Sequence, residues 1–224
     1  ILISGNAISM PWLSNVKTVM QSWYLGSEAG NAIASIISGE VNPSGKLPFT
    51  FPKKLMDNGA HYYGELSYPG NGETQFYKED ILVGYRWHDT KKIKPNFAFG
   101  HGLSYASFDL FGINSNKKSY SETETIKISC EIKNTGKVKG SEVVQVYVGK
   151  KNSKVKRALK ELKGFKKISV LKGESKKFEI KIDVNKLAFY DEKKSDWNIE
   201  KGEYIVYVGN ASDNISKELK ITII

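Results

Sequence analysis

The stretch that decides the fold of this 224-residue chain is Ile126-Lys127-Ile128-Ser129-Cys130-Glu131-Ile132-Lys133. Apolar and polar side chains alternate along it, which is the two-residue period of a β-strand with one buried face. The same period returns at residues 178–182, 204–208 and 219–223, and turn signals such as Lys172-Gly173-Glu174 separate the runs. Residues 108–224 are therefore expected to form an all-β sandwich of about seven strands, immunoglobulin-like or fibronectin type III-like, with Cys130 buried in its core.

Toward the N-terminus, residues 1–52 have the pattern of part of an α/β domain. Residues 1–4 predict the end of a buried parallel strand, and residues 16–25 predict a second buried strand. Residues 27–38 predict a helix, with Ser27 as N-cap and Gly39 just beyond the C-terminus. Two strands and one helix cannot close such a core, so we expect the rest of this domain upstream, in a larger protein from which the chain is cut.

Residues 53–107 predict a loop-rich connector, dense in Gly, Pro, Tyr and Asn, with one strand over residues 81–86. Long irregular segments in compact proteins are usually functional or linkers. Six aromatic residues here are candidates for stacking on sugar rings or for packing against the missing domain: Tyr62, Tyr63, Tyr68, Phe76, Tyr77 and Trp87. From this segment we predict a substrate-binding set of Tyr68, Tyr77 and Glu79, although an ion pair of Glu79 or Asp80 with Arg86 is an alternative role for the acids.

Charge and composition narrow the function classes. The formal net charge of +10 lies almost entirely in residues 108–224, whose one arginine is Arg157. Lysines alternate there with glutamates along strand-like segments, so we interpret them as a solvated surface rather than a nucleic-acid site. Cys130 is the only cysteine and the three histidines are far apart, so we expect no metal site, no cofactor and no disulfide. No apolar stretch is long enough to predict a membrane span.

Several phrases of the sequence, in order along nearly the whole chain, resemble one family. In residues 1–107 they are Ser4-Gly5 with Met10-Pro11-Trp12, Tyr24-Leu25-Gly26-Ser27-Glu28-Ala29-Gly30-Asn31-Ala32-Ile33-Ala34, Val41-Asn42-Pro43-Ser44-Gly45-Lys46-Leu47-Pro48-Phe49-Thr50-Phe51-Pro52, Tyr77-Lys78-Glu79-Asp80-Ile81-Leu82-Val83-Gly84-Tyr85-Arg86 and Phe97-Ala98-Phe99-Gly100-His101-Gly102-Leu103-Ser104-Tyr105. In the sandwich they are Leu159-Lys160-Glu161-Leu162-Lys163-Gly164-Phe165 and Trp197 before Gly202-Glu203-Tyr204. Together they resemble the family 3 glycoside hydrolases, particularly the three-domain β-glucosidases.

The resemblance implies a (β/α)8 barrel, then an α/β sandwich domain, then a fibronectin type III-like domain. It implies retaining hydrolysis of a β-linked sugar by an aspartate nucleophile and a glutamate acid/base. Neither can be assigned here, because the nucleophile belongs to the barrel and the acid/base to a loop upstream of residue 1. Ser195-Asp196-Trp197 matches the nucleophile motif by coincidence, and we expect Trp197 to fill the sandwich core.

The fold expected is thus a partial α/β domain (residues 1–52), a connector (residues 53–107) and a fibronectin type III-like sandwich (residues 108–224). The function implied by the resemblance is the C-terminal, non-catalytic part of an exo-acting β-glucosidase, whose oligosaccharide or aryl β-glycoside substrate enters through the barrel. The alternative is a carbohydrate or cell-surface binding module, suggested by the basic sandwich. A periplasmic or secreted location is expected from the family.

Overall fold

The computed structural model describes every residue of the chain, 1–224, as two compact units, Ile1–Tyr105 and Ala106–Ile224. The first unit contains three helices: α1 (Ala29–Ile37), α2 (Gly59–Tyr62) and α3 (Tyr85–Lys91). Short 3-10 turns span Leu13–Asn15, Gly26–Glu28 and Leu55–Asp57 in this unit and Val184–Leu187 in the second. None of the helices is long and apolar enough to cross a membrane. The three-part division at residues 52 and 107 stays a prediction.

The second unit contains ten strands. They are β1 (Phe108–Ser115), β2 (Ser119–Tyr120), β3 (Thr125–Asn134), β4 (Gly140–Lys150), β5 (Glu161–Val170), β6 (Ser175–Asp183), β7 (Phe189–Asp191), β8 (Asp196–Asn198), β9 (Gly202–Ala211) and β10 (Asn214–Ile223). Three strands form one sheet in the order β1-β3-β6, and five form another in the order β2-β10-β9-β4-β5. Strands β7 and β8 form a separate two-stranded ribbon. The expected all-β sandwich is confirmed.

The sandwich core is built from the alternating residues that the sequence singled out. Strand β3 pairs with β6 in antiparallel register, with Ile126 opposite Ile182 and Ile128 opposite Ile180. Ile126, Ile128 and Ile182 belong to one buried cluster, together with the inward valines of β4 and β9. Cys130 is buried in the same cluster, and burial raises the pKa of its thiol to about 11, because a low-dielectric surrounding disfavours the thiolate. It is a small core hydrophobe, as expected.

The first unit confirms the predicted helix but corrects the two predicted buried strands. A parallel bridge joins Leu2 to Gln21, yet Ile1, Ile3 and Val16 are exposed, so the two expected strands are neither regular nor buried. Helix α1 occupies the predicted segment, and Gly39 follows it at a φ of +81°, where glycine carries no Cβ penalty.

Three further expectations were wrong in detail. The N-cap of α1 is Glu28, without a side-chain hydrogen bond, because Ser27 lies inside a 3-10 turn that precedes the helix. Residues 81–86 do not form a strand: they turn at Gly84, whose φ is +61°, into helix α3. Trp197 does not fill the core, since it lies on the β7–β8 ribbon with 68% of its surface exposed.

Candidate functional site

The connector loop that carries Tyr68 and Tyr77 is held in shape by its own hydrogen bonds. The Phe76 N–H donates to the Leu66 carbonyl at 3.0 Å between N and O, and the Ser67 hydroxyl donates to the Phe76 carbonyl at 3.0 Å. The Gln75 side-chain amide donates to the Ser67 carbonyl at 3.0 Å. Because the two arms of the loop are tied together, its exposed side chains project from a fixed base.

The two predicted tyrosines both face solvent. Tyr68 is 50% exposed and Tyr77 is 73% exposed. The ring of Tyr68 lies against the ring of His61 on helix α2, with 4.7 Å between the centroids. His61 Nδ1 is buried and has no hydrogen-bond partner, so a polar ring nitrogen is left unsatisfied in the histidine that packs against Tyr68.

Glu79, the third predicted residue, is buried. Only 8% of it is exposed, and its Oε2 atom has no hydrogen-bond partner, so the alternative ion pair with Arg86 does not satisfy this oxygen. Helix α2 covers it closely: a Cβ placed on Gly59 would come within 3.0 Å of Glu79 Cβ and of the Trp87 ring. A buried oxygen without a donor is costly, and because Glu79 Oε2 is shielded from solvent within the chain, it is not itself an open contact for a ligand.

Trp87 is the structural centre of this region. Its ring is buried and meets the rings of Tyr62 and Tyr63 edge-on, at 5.2 and 5.7 Å between centroids. Its indole N–H donates to the Asp57 carbonyl at 3.0 Å. For Trp87, packing within the unit is therefore the role observed, and it presents no face for sugar stacking.

The structure thus brings Tyr68 and Glu79 against the same short helix, while Tyr77 stands out from the turn that leads to Glu79. The exposed faces of Tyr68 and Tyr77 are suited to stacking on a polyhydroxylated ring. Sequence analysis missed His61, because its contact with Tyr68 depends on the loop folding back over α2. No group of three or more His, Cys, Asp or Glu side chains is placed to hold a metal ion.

Comparison with protein-family models matches both parts of the chain. Residues 1–105 match the glycosyl hydrolase family 3 C-terminal domain, and residues 142–212 match the fibronectin type III-like domain.

Curated relatives match almost the whole chain. A β-glucosidase of Bacteroides ovatus, BoGH3A, is 46% identical over 215 residues, which cover 96% of this chain and 29% of the relative. The thermostable β-glucosidase B of Acetivibrio thermocellus is 42% identical, again over 96% of this chain and 28% of the relative. The chain therefore spans less than a third of the length of these relatives.

Solved structures agree in fold. The β-glucosidase DesR of Streptomyces venezuelae, in complex with D-glucose, superposes with a TM-score of 0.91 at 35% identity, over 97% of this chain and 28% of that one. The β-glucosidase of Kluyveromyces marxianus, in complex with glucose, superposes with a TM-score of 0.88 at 40% identity, over 98% of this chain and 25% of that one.

Proposed function

We propose that this chain, which belongs to glycoside hydrolase family 3, works within a longer, retaining, exo-acting β-glucosidase. Its two parts match the C-terminal domain of that family and a fibronectin type III-like domain. The names of its relatives support this assignment. Retaining hydrolysis requires a carboxylate nucleophile and a second carboxyl group as acid and base, about 5–5.5 Å apart. In this proposal both groups lie outside the chain, which contributes the scaffold and part of the substrate surface.

The scaffold role is supported by the apolar surface of the first unit. No residue of helix α1 is buried, and Ile37 on this helix is 62% exposed. Ile1, Ile3 and Tyr24 are exposed in the same unit. Exposed apolar side chains in such number mark a surface that packs against another part of a protein. That part, in the proposal, is the remainder of the α/β domain.

The substrate-contacting role rests on one observation, the exposed rings of Tyr68 and Tyr77 on a loop that its own hydrogen bonds hold in shape. Glu79 Oε2 is shielded from solvent, so in this proposal Glu79 supports the loop from behind rather than contacting the sugar directly. Tyr68 and Tyr77, fixed on the tied loop, offer flat faces on which a sugar or aryl group of the substrate can stack. Tyr68 and Tyr77 then contact substrate, Glu79 supports their loop, and none of the three takes part in bond cleavage.

The first test uses the 224-residue chain alone with p-nitrophenyl β-glucoside. We expect no release of nitrophenol, because in this proposal the catalytic pair lies outside the chain. Turnover that disappears in the Glu79→Gln variant would instead make Glu79 a catalyst and overturn the scaffold assignment.

The second test places Tyr77→Ala and Glu79→Gln in the longer protein and measures kcat and KM separately. Removal of uniform binding raises KM and leaves kcat unchanged, whereas loss of a catalytic group lowers kcat by orders of magnitude. We expect the first pattern for both variants. Tyr190→Ala, an exposed tyrosine of the sandwich, is the matched control and should change neither constant. Unchanged KM in Tyr77→Ala and Glu79→Gln would remove the substrate-contacting role while leaving the scaffold role intact.

A periplasmic or secreted location accompanies this proposal on family grounds. Fractionation of the source cells tests it: activity confined to the cytoplasmic fraction would contradict it.

A further inference from the structure

A groove lies along one side of the sandwich, in the second unit, where two edge strands run next to each other. Strand β5 is the edge of the five-stranded sheet and β6 is the edge of the three-stranded sheet. The groove has a volume of about 590 Å³ and is lined by four lysines, one glutamate and one exposed phenylalanine among its residues: Lys163, Lys166, Lys181, Lys186, Glu179 and Phe165. This volume lies within the range of about 300–1,000 Å³ that is usual for ligand sites.

The floor of the groove depends on a glycine and a bulge. A Cβ on Gly164 would come within 2.8 Å of Ile180 Cγ2, so only glycine lets β5 approach β6 this closely. Next to it, Val146 pairs with Gly164 but Tyr147 pairs with Leu162, which leaves Lys163 as the extra residue of a β-bulge. Bulges at sheet edges re-aim side chains, and here the bulge lies where the lysines converge.

The groove keeps a net positive charge after its neighbouring acids are counted. Lys163 is held by Glu161, with 3.2 Å between Nζ and Oε2, so its charge is partly neutralised. Lys166, Lys181 and Lys186 are exposed, and Glu179 is the carboxylate that stands among them. Phe165 is 66% exposed and presents an aromatic face at the same place. Positive charges around an aromatic face complement a ligand that combines negative charge with rings that have an apolar face.

We propose that this groove binds an acidic polysaccharide whose sugar rings carry carboxylates, a polyuronate. A sugar ring stacks on Phe165, and the three exposed lysines pair with carboxylates of neighbouring sugars. Nucleic acid is the weaker match, because the groove holds no arginine fork for phosphate and a single aromatic ring rather than a series. This site adds a second ligand to the protein and does not depend on the proposed hydrolysis.

The lysines have one competing explanation. Charged residues on edge strands, lysine above all, prevent edge-to-edge association of sheets, and this role requires no ligand. If the lysines only prevent sheet association, the groove should not bind a polyanion better than a matched set of lysines elsewhere on the sandwich does. If they form a ligand site, replacing them should weaken polyanion binding more than replacing the matched set.

The experiment is affinity electrophoresis of the 224-residue chain through gels that contain polygalacturonate, with neutral hydroxyethylcellulose and single-stranded poly-dT as the other arms. At low ionic strength we expect retardation by polygalacturonate and none by the neutral polymer, and weaker retardation at higher salt, because salt screens ion pairs. The triple variant Lys166→Gln, Lys181→Gln, Lys186→Gln should lower the affinity for polygalacturonate by about tenfold or more, since it removes three charges from one site.

The matched control is Lys118→Gln, Lys201→Gln, Lys217→Gln, which removes the same charge from exposed lysines that do not line the groove. We expect it to change affinity by less than about twofold. Phe165→Ala should weaken binding by a similar factor at low and high salt, because stacking is not screened. Absence of retardation, equal losses in the two triple variants, or tighter binding to poly-dT than to polygalacturonate would each overturn the proposal.

Discussion

The two units of the chain differ in how much of their apolar surface they bury. The sandwich places its alternating isoleucines and valines in one continuous cluster between two sheets. The first unit buries only a few apolar side chains, among them Phe51, Leu82 and Trp87, and leaves helix α1 without a buried residue. The difference shows that the sandwich contains the partners of its own apolar face, whereas the first unit does not.

A related contrast appears in two acids with little solvent exposure. In the sandwich, Glu200 accepts hydrogen bonds from the Ser153 hydroxyl at 2.6 Å and the Lys154 N–H at 2.8 Å, and Arg157 lies 3.6 Å away. In the first unit, Glu79 has an oxygen without a partner. Both carboxylate oxygens of Glu200 accept hydrogen bonds within the chain, whereas Glu79 Oε2 accepts none.

The largest expected effect comes from a matched pair of isoleucine truncations. Ile128→Ala opens a cavity in the sandwich core and should lower the free energy of unfolding of that unit by about 2–5 kcal/mol. Ile37→Ala removes an exposed side chain and should change stability by about 0.5 kcal/mol or less. Urea titrations of the 224-residue chain, monitored by amide exchange in β3 and in α1, measure the two. Equal losses of unfolding free energy in Ile128→Ala and Ile37→Ala would contradict the contrast between the two units.

The second effect separates the two acids. Glu200→Gln removes charge-assisted hydrogen bonds and should destabilise the sandwich by about 1.5–3 kcal/mol. Glu79→Gln replaces a carboxyl group whose Oε2 accepts no hydrogen bond, so the chain alone should keep or gain stability. Thermal unfolding of both variants beside the wild type gives the result, and a large loss in Glu79→Gln would show that its carboxylate is satisfied inside the chain.

Acid titration provides a third test. Burial raises the pKa of Glu200, but hydrogen bonds from Ser153 and Lys154 and the charge of Arg157 outweigh it, so the pKa lies below its ordinary value of 4.5. A carboxyl group with a lowered folded pKa contributes stability above the ordinary value, and this contribution disappears as the pH falls through the folded pKa. The stability difference between wild type and Glu200→Gln should therefore shrink below pH 4.5. A difference that is constant from pH 7 to pH 3 would contradict this.

A fourth comparison uses two glycines, whose replacement by alanine should have effects of opposite sign. A Cβ on Gly209 in β9 would come within 2.1 Å of the Asn214 carbonyl oxygen, so Gly209→Ala should destabilise the sandwich by about 1–3 kcal/mol. A Cβ on Gly30 in α1 meets nothing within 4 Å, so Gly30→Ala should stabilise the helix by about 0.8–1 kcal/mol. Circular dichroism of the two variants checks both signs, and a destabilising Gly30→Ala would mean that α1 is already closely packed.

How far the sequence predicted the molecule also differs between the units. The period along residues 126–132 predicted β3 and its buried face correctly. Successive side chains of a strand point to opposite faces of the sheet, so the apolar residues of the alternating pattern are the ones that face the core. For residues 16–25 the apolar pattern predicted a buried strand, but burial requires a partner, and Val16 is exposed. Trp197 was placed in the core because large aromatic residues are usually buried, yet the β7–β8 ribbon carries it outward.

The candidate site was predicted only in part. Tyr68, Tyr77 and Glu79 were chosen for their residue types in an aromatic loop, and whether they bind substrate stays a prediction. The burial of Glu79 against Gly59, and the place of His61 beside Tyr68, follow from long-range folding of an irregular segment. No periodicity marks such contacts, so sequence patterns alone could not supply them.

The most direct test of the contrast between the units is native-state hydrogen exchange on the 224-residue chain, resolved by segment. Our account predicts that amides of β3, β4 and β9 exchange only through global unfolding of the sandwich, while amides of α1 exchange through small local openings. Protection of α1 equal to that of β3 would contradict this account, because α1 would then have to be packed against another element. In the structure no residue of α1 is buried.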